Sequence, residues 1–110
     1  MGRTFFTGGI MPSDDLLLHF QKDIELEEQW IVNGEHYAQT ANHWLLNMDT
    51  IRDELLPVLG VAYGQDRSKL WFQRWRMFFM ACSELFGFNN GDEWHVCHYR
   101  FHKKSVVENT

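Results

Sequence analysis

Two long segments of the sequence carry large apolar side chains at every third or fourth position. They span residues 37–55 and 71–86. That spacing puts the apolar side chains on one face of an α-helix. Pro57 and Gly60 indicate the end of the first helix, and Gly87 indicates the end of the second. The chain therefore must fold around two long amphipathic helices.

Shorter strand-like segments flank these helices, at residues 4–7, 25–32 and 94–101. A further helix is expected from Ser13, a favourable N-cap, to about Gln21. The order predicts an α/β protein, α+β as an isolated piece, with few strands and with the long helices inserted between the last two strands. The final segment is apolar on both faces, which is typical of a strand inside a larger sheet.

Composition narrows the class of protein. A chain of 110 residues is one domain at most, and 45% hydrophobic residues indicate a globular fold. The net charge of −5 argues against a nucleic-acid partner, because phosphate contacts need a basic surface. Cys82 and Cys97 do not resemble a disulfide framework, and no segment is apolar for the length of a membrane span. We therefore expect a cytoplasmic protein.

Aromatic residues are abundant, at 15% of the chain. A protein this small cannot easily surround so many rings, so some are expected to face a lipid, a partner or another part of the same protein. We expect the isolated chain to form a homo-oligomer through an apolar face. Arg74 and Arg76 beside Trp75 suggest peripheral contact with the inner membrane surface, and the alternative is a core helix whose arginines reach out to solvent.

Four motifs follow one another along residues 4–101. They are Phe5-Phe6-Thr7-Gly8-Gly9-Ile10-Met11-Pro12-Ser13, then Gly34-Glu35-His36-Tyr37-Ala38-Gln39-Thr40 with Trp44, then Phe79-Met80-Ala81-Cys82-Ser83-Glu84-Leu85-Phe86 after Tyr63-Gly64 and Trp71, and a closing strand from Glu93 to Phe101. In kind, order and spacing they resemble the C-terminal part of the cyclopropane-fatty-acid synthases and mycolic acid methyltransferases.

The resemblance implies a Rossmann-like class I methyltransferase that uses S-adenosylmethionine. Members of that family act on the double bond of an unsaturated acyl lipid, giving a ring or a methyl branch, with bicarbonate as the base. It implies that residues 1–110 form one partial domain on the lipid-pocket side. The glycine-rich turn for the methyl donor is absent, since Gly8-Gly9 lacks the Gly-x-Gly spacing. Neither cofactor is expected to bind this chain alone, and alone it is expected to be inactive.

The resemblance also implies site residues. Tyr37 matches the tyrosine that holds bicarbonate, and it is the predicted catalytic residue. The positions that match the family's acyl pocket, and are predicted to bind substrate, are Phe5, Ile10, Ala41, Cys82 and Phe86. Ordinary core packing is the alternative for each of these five, because an acyl tunnel and a core consist of the same residue types.

The cluster of His95, Cys97, His98 and His102 does not have the spacing of a zinc module, so no metal site is predicted. The chain as a whole has a second interpretation, a non-enzymatic module that binds a hydrophobic ligand or a protein partner.

Overall fold

The computed structural model describes Phe5 and residues 8–105. The predicted α+β class is confirmed: two strands form a sheet, and the long helices lie between them in the sequence. The strands and α-helices are β1 (Ile24–Asn33), α1 (Gly34–Thr50), α2 (Arg52–Tyr63), α3 (Ser68–Gly87) and β2 (His95–Lys103). None of the helices in the described ranges has the length and apolar character needed to cross a membrane.

The chain divides into two compact units, which are described separately. The strand unit comprises residues 1–32 and 97–110, and the helical unit comprises residues 33–96. The predicted strand at residues 4–7 falls outside the described residues, apart from Phe5.

In the strand unit, β1 and β2 pair antiparallel, and the backbone N–H of Lys104 donates to the carbonyl of Asp23 at 3.2 Å. One face of the pair is charged. Arg100 contacts Glu27 at 2.7 Å, and His102 lies 3.2 Å from the same carboxylate. The expectation that the closing strand is apolar on both faces is therefore too simple. From Cys97 onward, the half-buried Cys97, Tyr99 and Phe101 alternate with exposed polar residues.

The helix predicted from Ser13 to Gln21 is wrong. Only Leu16–His19 is helical, as a single 3-10 turn whose N-cap makes no side-chain hydrogen bond. The Gln21 amide donates back to the carbonyl of Leu18 at 2.9 Å. A short helix needs tertiary packing to offset the cost of nucleation, and Phe20, near the expected end of this helix, is 67% exposed.

The first long helix is divided, contrary to the prediction of one helix ending at Pro57. Ile51, with φ −103° and ψ 23°, separates α1 from α2. Pro57 lies inside α2. Proline has no backbone N–H, so the carbonyl of Asp53 in the first turn of α2 receives no hydrogen bond from position 57. The helix loses this one hydrogen bond and continues beyond Pro57. Gly64 follows the end of α2 with a φ of 103°. Glycine is favoured at this position because other residues rarely adopt a positive φ.

The core of the helical unit consists of Met48, Leu59 and Phe72, one from each helix. The partly buried side chains packed against this core are Leu55, Leu56, Tyr63, Trp75 and Phe79. The α1–α3 packing is the most extensive contact between helices. A turn with left-handed Asn89 and Asn90 then follows α3, as Asn-Asn-Gly predicts.

The start of α1 is fixed by side-chain and backbone contacts. Asn33 caps the helix, because its Oδ1 accepts from the backbone N–H of Glu35 at 2.8 Å. Its Nδ2 donates to the carbonyl of Asn90 at 3.1 Å. Gly34 is buried, and a Cβ built on it would collide with the backbone carbonyl oxygens of Phe86 and Trp94. Only glycine fits this position without movement of the backbone.

One ion pair joins α1 to α3. The Nε and Nη2 atoms of Arg76 donate to the two carboxylate oxygens of Asp49 at 2.7 and 3.0 Å. The hydrogen bond from Arg76 lowers the pKa of Asp49. Because the pKa is lower in the folded state, the pair stabilises the fold above the unfolded pKa, about pH 4, and this contribution is lost as the pH falls through the folded value.

We expect Asp49→Asn to lower the free energy of unfolding at pH 7 by about 0.5–1 kcal/mol, the upper part of the range for exposed pairs. The Asp49 side chain is 40% exposed, which limits the effect. Urea unfolding at pH 7 and at about pH 3 measures it, and the difference from the wild type should shrink at the lower pH. Glu84→Gln, which removes an equal charge from exposed surface, is the control. An equal loss in both variants would contradict a specific role for the pair.

Candidate functional site

Four rings from α1 and α3 form an aromatic row, in which each ring contacts the next. In spatial order they are Phe86, Tyr37, Trp44 and Phe79. Tyr37 meets Phe86 edge to face at a centroid distance of 4.6 Å. It meets Trp44 at 5.9 Å, and Trp44 meets Phe79 at 5.7 Å, again edge to face. Such arrangements favour the positive ring edge against a negative ring face. The row fixes the ring orientations along the α1–α3 contact.

The hydroxyl of Tyr37 and the thiol of Cys82 in α3 lie close enough for each to influence the pKa of the other. Burial raises the pKa of Tyr37, and the neighbouring Cys82 raises it further. Burial also raises the pKa of the Cys82 thiol. Both groups therefore stay protonated at neutral pH, so Tyr37 acts as a neutral hydrogen-bond donor and Cys82 is not an activated nucleophile.

The far end of the aromatic row opens into a cavity of about 320 Å³. All three helices or their junctions contribute to this aromatic groove, which is lined by Trp44, Asn47, Met48, Ile51, Leu55, Leu59, Trp75 and Phe79. Asn47 is the one polar side chain among these lining residues. The volume lies at the lower end of the range for small-molecule sites, which is roughly 300–1,000 Å³. The groove suits a compact apolar ring system or a segment of hydrocarbon.

The predicted site residues fall in both units. Tyr37, Ala41, Cys82 and Phe86 all belong to the α1–α3 pair, where Ala41 has no exposed surface and Cys82 is 7% exposed. Phe5 and Ile10 belong to the strand unit, and Ile10 is 84% exposed there. The roles predicted for these six residues stay predictions.

Sequence reasoning did not single out the groove. Its α1 and α2 residues recur at three- and four-residue spacing, and so do Trp75 and Phe79 on α3. The same spacing is expected of any core-facing stripe. The signal that was present, an unusual number of rings in a short chain, indicated exposed aromatic surface without locating it.

A comparison with models of known protein families matches none of them. Curated plant enzymes do match. The chain is 34% identical over 97 residues to an (S)-coclaurine N-methyltransferase of Thalictrum flavum subsp. glaucum and 35% identical over 95 residues to one of Papaver somniferum. Each match covers 86% of this chain and 27% of the relative. A pavine N-methyltransferase of the same Thalictrum is 31% identical over 96 residues. The chain thus spans only about a quarter of the length of these relatives.

A solved structure matches as well. It is a crystal structure of coclaurine N-methyltransferase bound to N-methylheliamine and SAH, with a TM-score of 0.69 and 33% sequence identity. The match covers 86% of this chain and 28% of that one. The predicted C-terminal methyltransferase fold is consistent with this likeness.

The comparisons confirm the general prediction and leave its finer parts without support. These relatives are methyltransferases and the solved one is bound to SAH, so the likeness to a methyltransferase that uses S-adenosylmethionine is confirmed. The cyclopropane-synthase family in particular, the acyl substrate and the bicarbonate find no support among these relatives. In sequence and in fold, the chain matches one part of an S-adenosylmethionine-dependent methyltransferase.

Proposed function

We propose that this chain supplies the substrate groove of a methyltransferase that acts on a lipophilic amine. The observation that carries the proposal is the aromatic groove, which lies in a chain whose relatives are N-methyltransferases. Trp44, Trp75 and Phe79 line the groove. The flat faces of these rings can hold a fused ring system by stacking and burial.

The same rings suit the charge change of amine methylation. The amine must be neutral to use its lone pair, and positive charge develops on nitrogen as the new N–CH₃ bond forms. An apolar wall favours the neutral amine before the reaction, because desolvation disfavours the charged form. The faces of Trp and Phe carry negative potential, which attracts the developing cation once it forms. The groove therefore favours the neutral amine before the reaction and stabilises the positive charge of the transition state, although no carboxylate from the described part of the chain lines it.

The described residues do not fit the methyl donor. The one turn that leads directly from a strand into a helix lies at Asn33 and Gly34. Its space is occupied by the backbone carbonyl oxygens of Phe86, Gly91 and Trp94. Carbonyl oxygens repel a carboxylate, and the backbone N–H of Glu35 already donates to Oδ1 of Asn33. The part assigned to these residues is accordingly confined to the amine.

A titration with N-methylheliamine, the amine in the solved relative, tests the proposal. Tryptophan fluorescence of the wild-type chain should be quenched with saturation. Trp75→Leu should weaken the interaction at least about tenfold, because a face-on ring contact with a cation and its burial are lost. Trp94→Leu, which removes an indole outside the groove, is the control. It should change the affinity for N-methylheliamine less than twofold. Circular dichroism confirms that both variants fold.

A second candidate function is methylation of an unsaturated acyl chain. It is favoured by the lining of the groove, which offers Asn47 and no charged side chain to an amine. In that case the Tyr37 hydroxyl would hold the bicarbonate, as the resemblance implies. Palmitoleate in the same titration separates the two candidates. Quenching by palmitoleate and not by N-methylheliamine would favour the acyl substrate, and quenching by neither would refute a substrate role for the groove.

A further inference from the structure

The helical unit carries a second cavity whose lining is basic. It measures about 540 Å³ and is lined by Asp49, Arg52, Lys69, Phe72, Gln73 and Arg76. We call it the basic recess. Its walls are the last turn of α1, the first residue of α2 and the first half of α3. Lys69, Gln73 and Arg76 recur at three- and four-residue spacing and so share one face of α3.

The charge of the recess is opposite to that of the chain. Its lining holds three cations and one carboxylate, for a net charge of +3 − 1 = +2, in a chain of net charge −5. Between residues 33 and 96 the chain has five Lys and Arg residues, namely Arg52, Arg67, Lys69, Arg74 and Arg76, and three of them line this one cavity. Like charges that line one cavity repel one another, so a bound anion would relieve the repulsion.

The two guanidinium groups of the recess are held in place. Asp49 accepts from Nε and Nη2 of Arg76, which leaves Nη1 of that arginine outside the pair. The Arg52 guanidinium lies over the Phe72 ring, with its Cζ 5.5 Å from the ring centroid. Lys69 is exposed and forms no ion pair within the described part of the chain. The 3.8 Å approach of Asp53 to Arg52 involves a fully exposed carboxylate, which water screens.

We propose that the basic recess binds a phosphate group. A phosphate monoester carries a charge of about −1.5 to −2 at pH 7 and three acceptor oxygens. That charge matches the net +2 of the lining, whereas a single carboxylate would leave half of it unmatched. Guanidinium groups present planar donors that suit phosphate oxygens, and a lysine adds a mobile point charge. The site is separate from the aromatic groove and does not depend on the proposed amine.

An NMR titration of the ¹⁵N-labelled chain with inorganic phosphate, at low ionic strength and pH 7.5, tests this site. The Nε–Hε signals of Arg52 and Arg76 and the amides of residues 69–76 should shift with saturation. Lys69→Gln should weaken binding about fivefold, as expected for one exposed charge. Arg74→Gln is the matched control. It removes the same charge from the same helix, at a residue stacked 4.8 Å from the Trp71 ring and outside the recess, and it should change binding less than twofold.

Two further arms identify the source of the phosphate. Glycerol 3-phosphate represents soluble esters, and phosphatidylcholine vesicles with and without phosphatidic acid represent lipid headgroups. The site is supported if Lys69→Gln weakens the binding of glycerol 3-phosphate or of the vesicles and Arg74→Gln does not. The ligand that binds in this way identifies the source of the phosphate. Shifts that never saturate, an equal effect of the two variants, or no binding in any arm would overturn the proposal.

Discussion

Replacing Gly34 by alanine is expected to lower the free energy of unfolding by about 3 kcal/mol, the upper end of the usual cost of overpacking. Alanine normally favours a helix over glycine by roughly 1 kcal/mol, so the expected loss opposes the intrinsic preference. The cause is space. The backbone of Gly34 is not left-handed, and the added Cβ would meet the carbonyl oxygens of Phe86 and Trp94. Backbone atoms held by α3 and by the following turn cannot move aside as a flexible side chain can.

Thermal unfolding followed by circular dichroism measures this loss. A cost of that size should lower the Tm by more than about 10 °C in a domain of this length. Gly87→Ala is the control, because its Cβ would meet the Cβ of Ala38 at 3.4 Å, an ordinary contact. It should change the Tm by only a few degrees. Equal Tm values for Gly34→Ala and the wild type would show that the β1–α1 junction is looser than described.

Truncation of Phe72 to alanine is expected to cost about 3–5 kcal/mol, the range for a buried Phe→Ala change. Phe72 is 5% exposed and lies in the core with Met48 and Leu59. Its loss leaves a cavity where α1, α2 and α3 meet. The substitution also removes the ring beneath the Arg52 guanidinium. A loss of this size removes most of the free energy of unfolding of a protein of ordinary stability. The variant is therefore expected to be largely unfolded at 37 °C.

Urea unfolding at 25 °C provides the measurement, with the midpoint as the readout. Phe88→Ala, at a side chain 63% exposed, removes the same ring from the surface and should cost less than about 0.5 kcal/mol. Phe72→Leu, which retains most of the buried volume, should fall between the two. Similar midpoints for Phe72→Ala and Phe88→Ala would contradict the assignment of Phe72 to the core.

The sequence was most informative where one periodic signal extends over many residues. The apolar spacing of residues 71–86 predicted α3, and Gly87, predicted to end that helix, is its last residue. The break at Ile51 was not predicted, because no glycine or proline marks it and apolar spacing continues across it. Pro57 was misinterpreted as a helix end, although a proline near the start of a helix costs only one hydrogen bond.

The functional sites were harder to predict for a different reason. Core and groove use the same apolar residue types, so Trp44 and Met48 look alike in the sequence although Trp44 is 44% exposed and Met48 is buried. Arg52 and Arg76 are far apart in the sequence and meet only through the packing of the helices. The resemblance indicated a likeness to methyltransferases, whereas the shape of the groove, on which the proposed substrate depends, follows only from the packing of the helices. The predictions of a homo-oligomer, of membrane contact and of a cytoplasmic location stay predictions.

The contacts of Asn33 have a consequence for how such a segment changes in evolution and in engineering. This side chain caps α1 at the entry of the helical unit and also donates to the Asn90 carbonyl and to Asp92 near its exit. The first and last residues of the helical unit therefore lie close together, so the unit is an insert whose two ends are held side by side. Helices within it can be lengthened, exchanged or replaced as a block, since the two points of attachment stay a fixed distance apart. If the helical unit supplies the substrate groove as proposed, exchange of this one segment changes the substrate without altering the points at which it joins the rest of the chain.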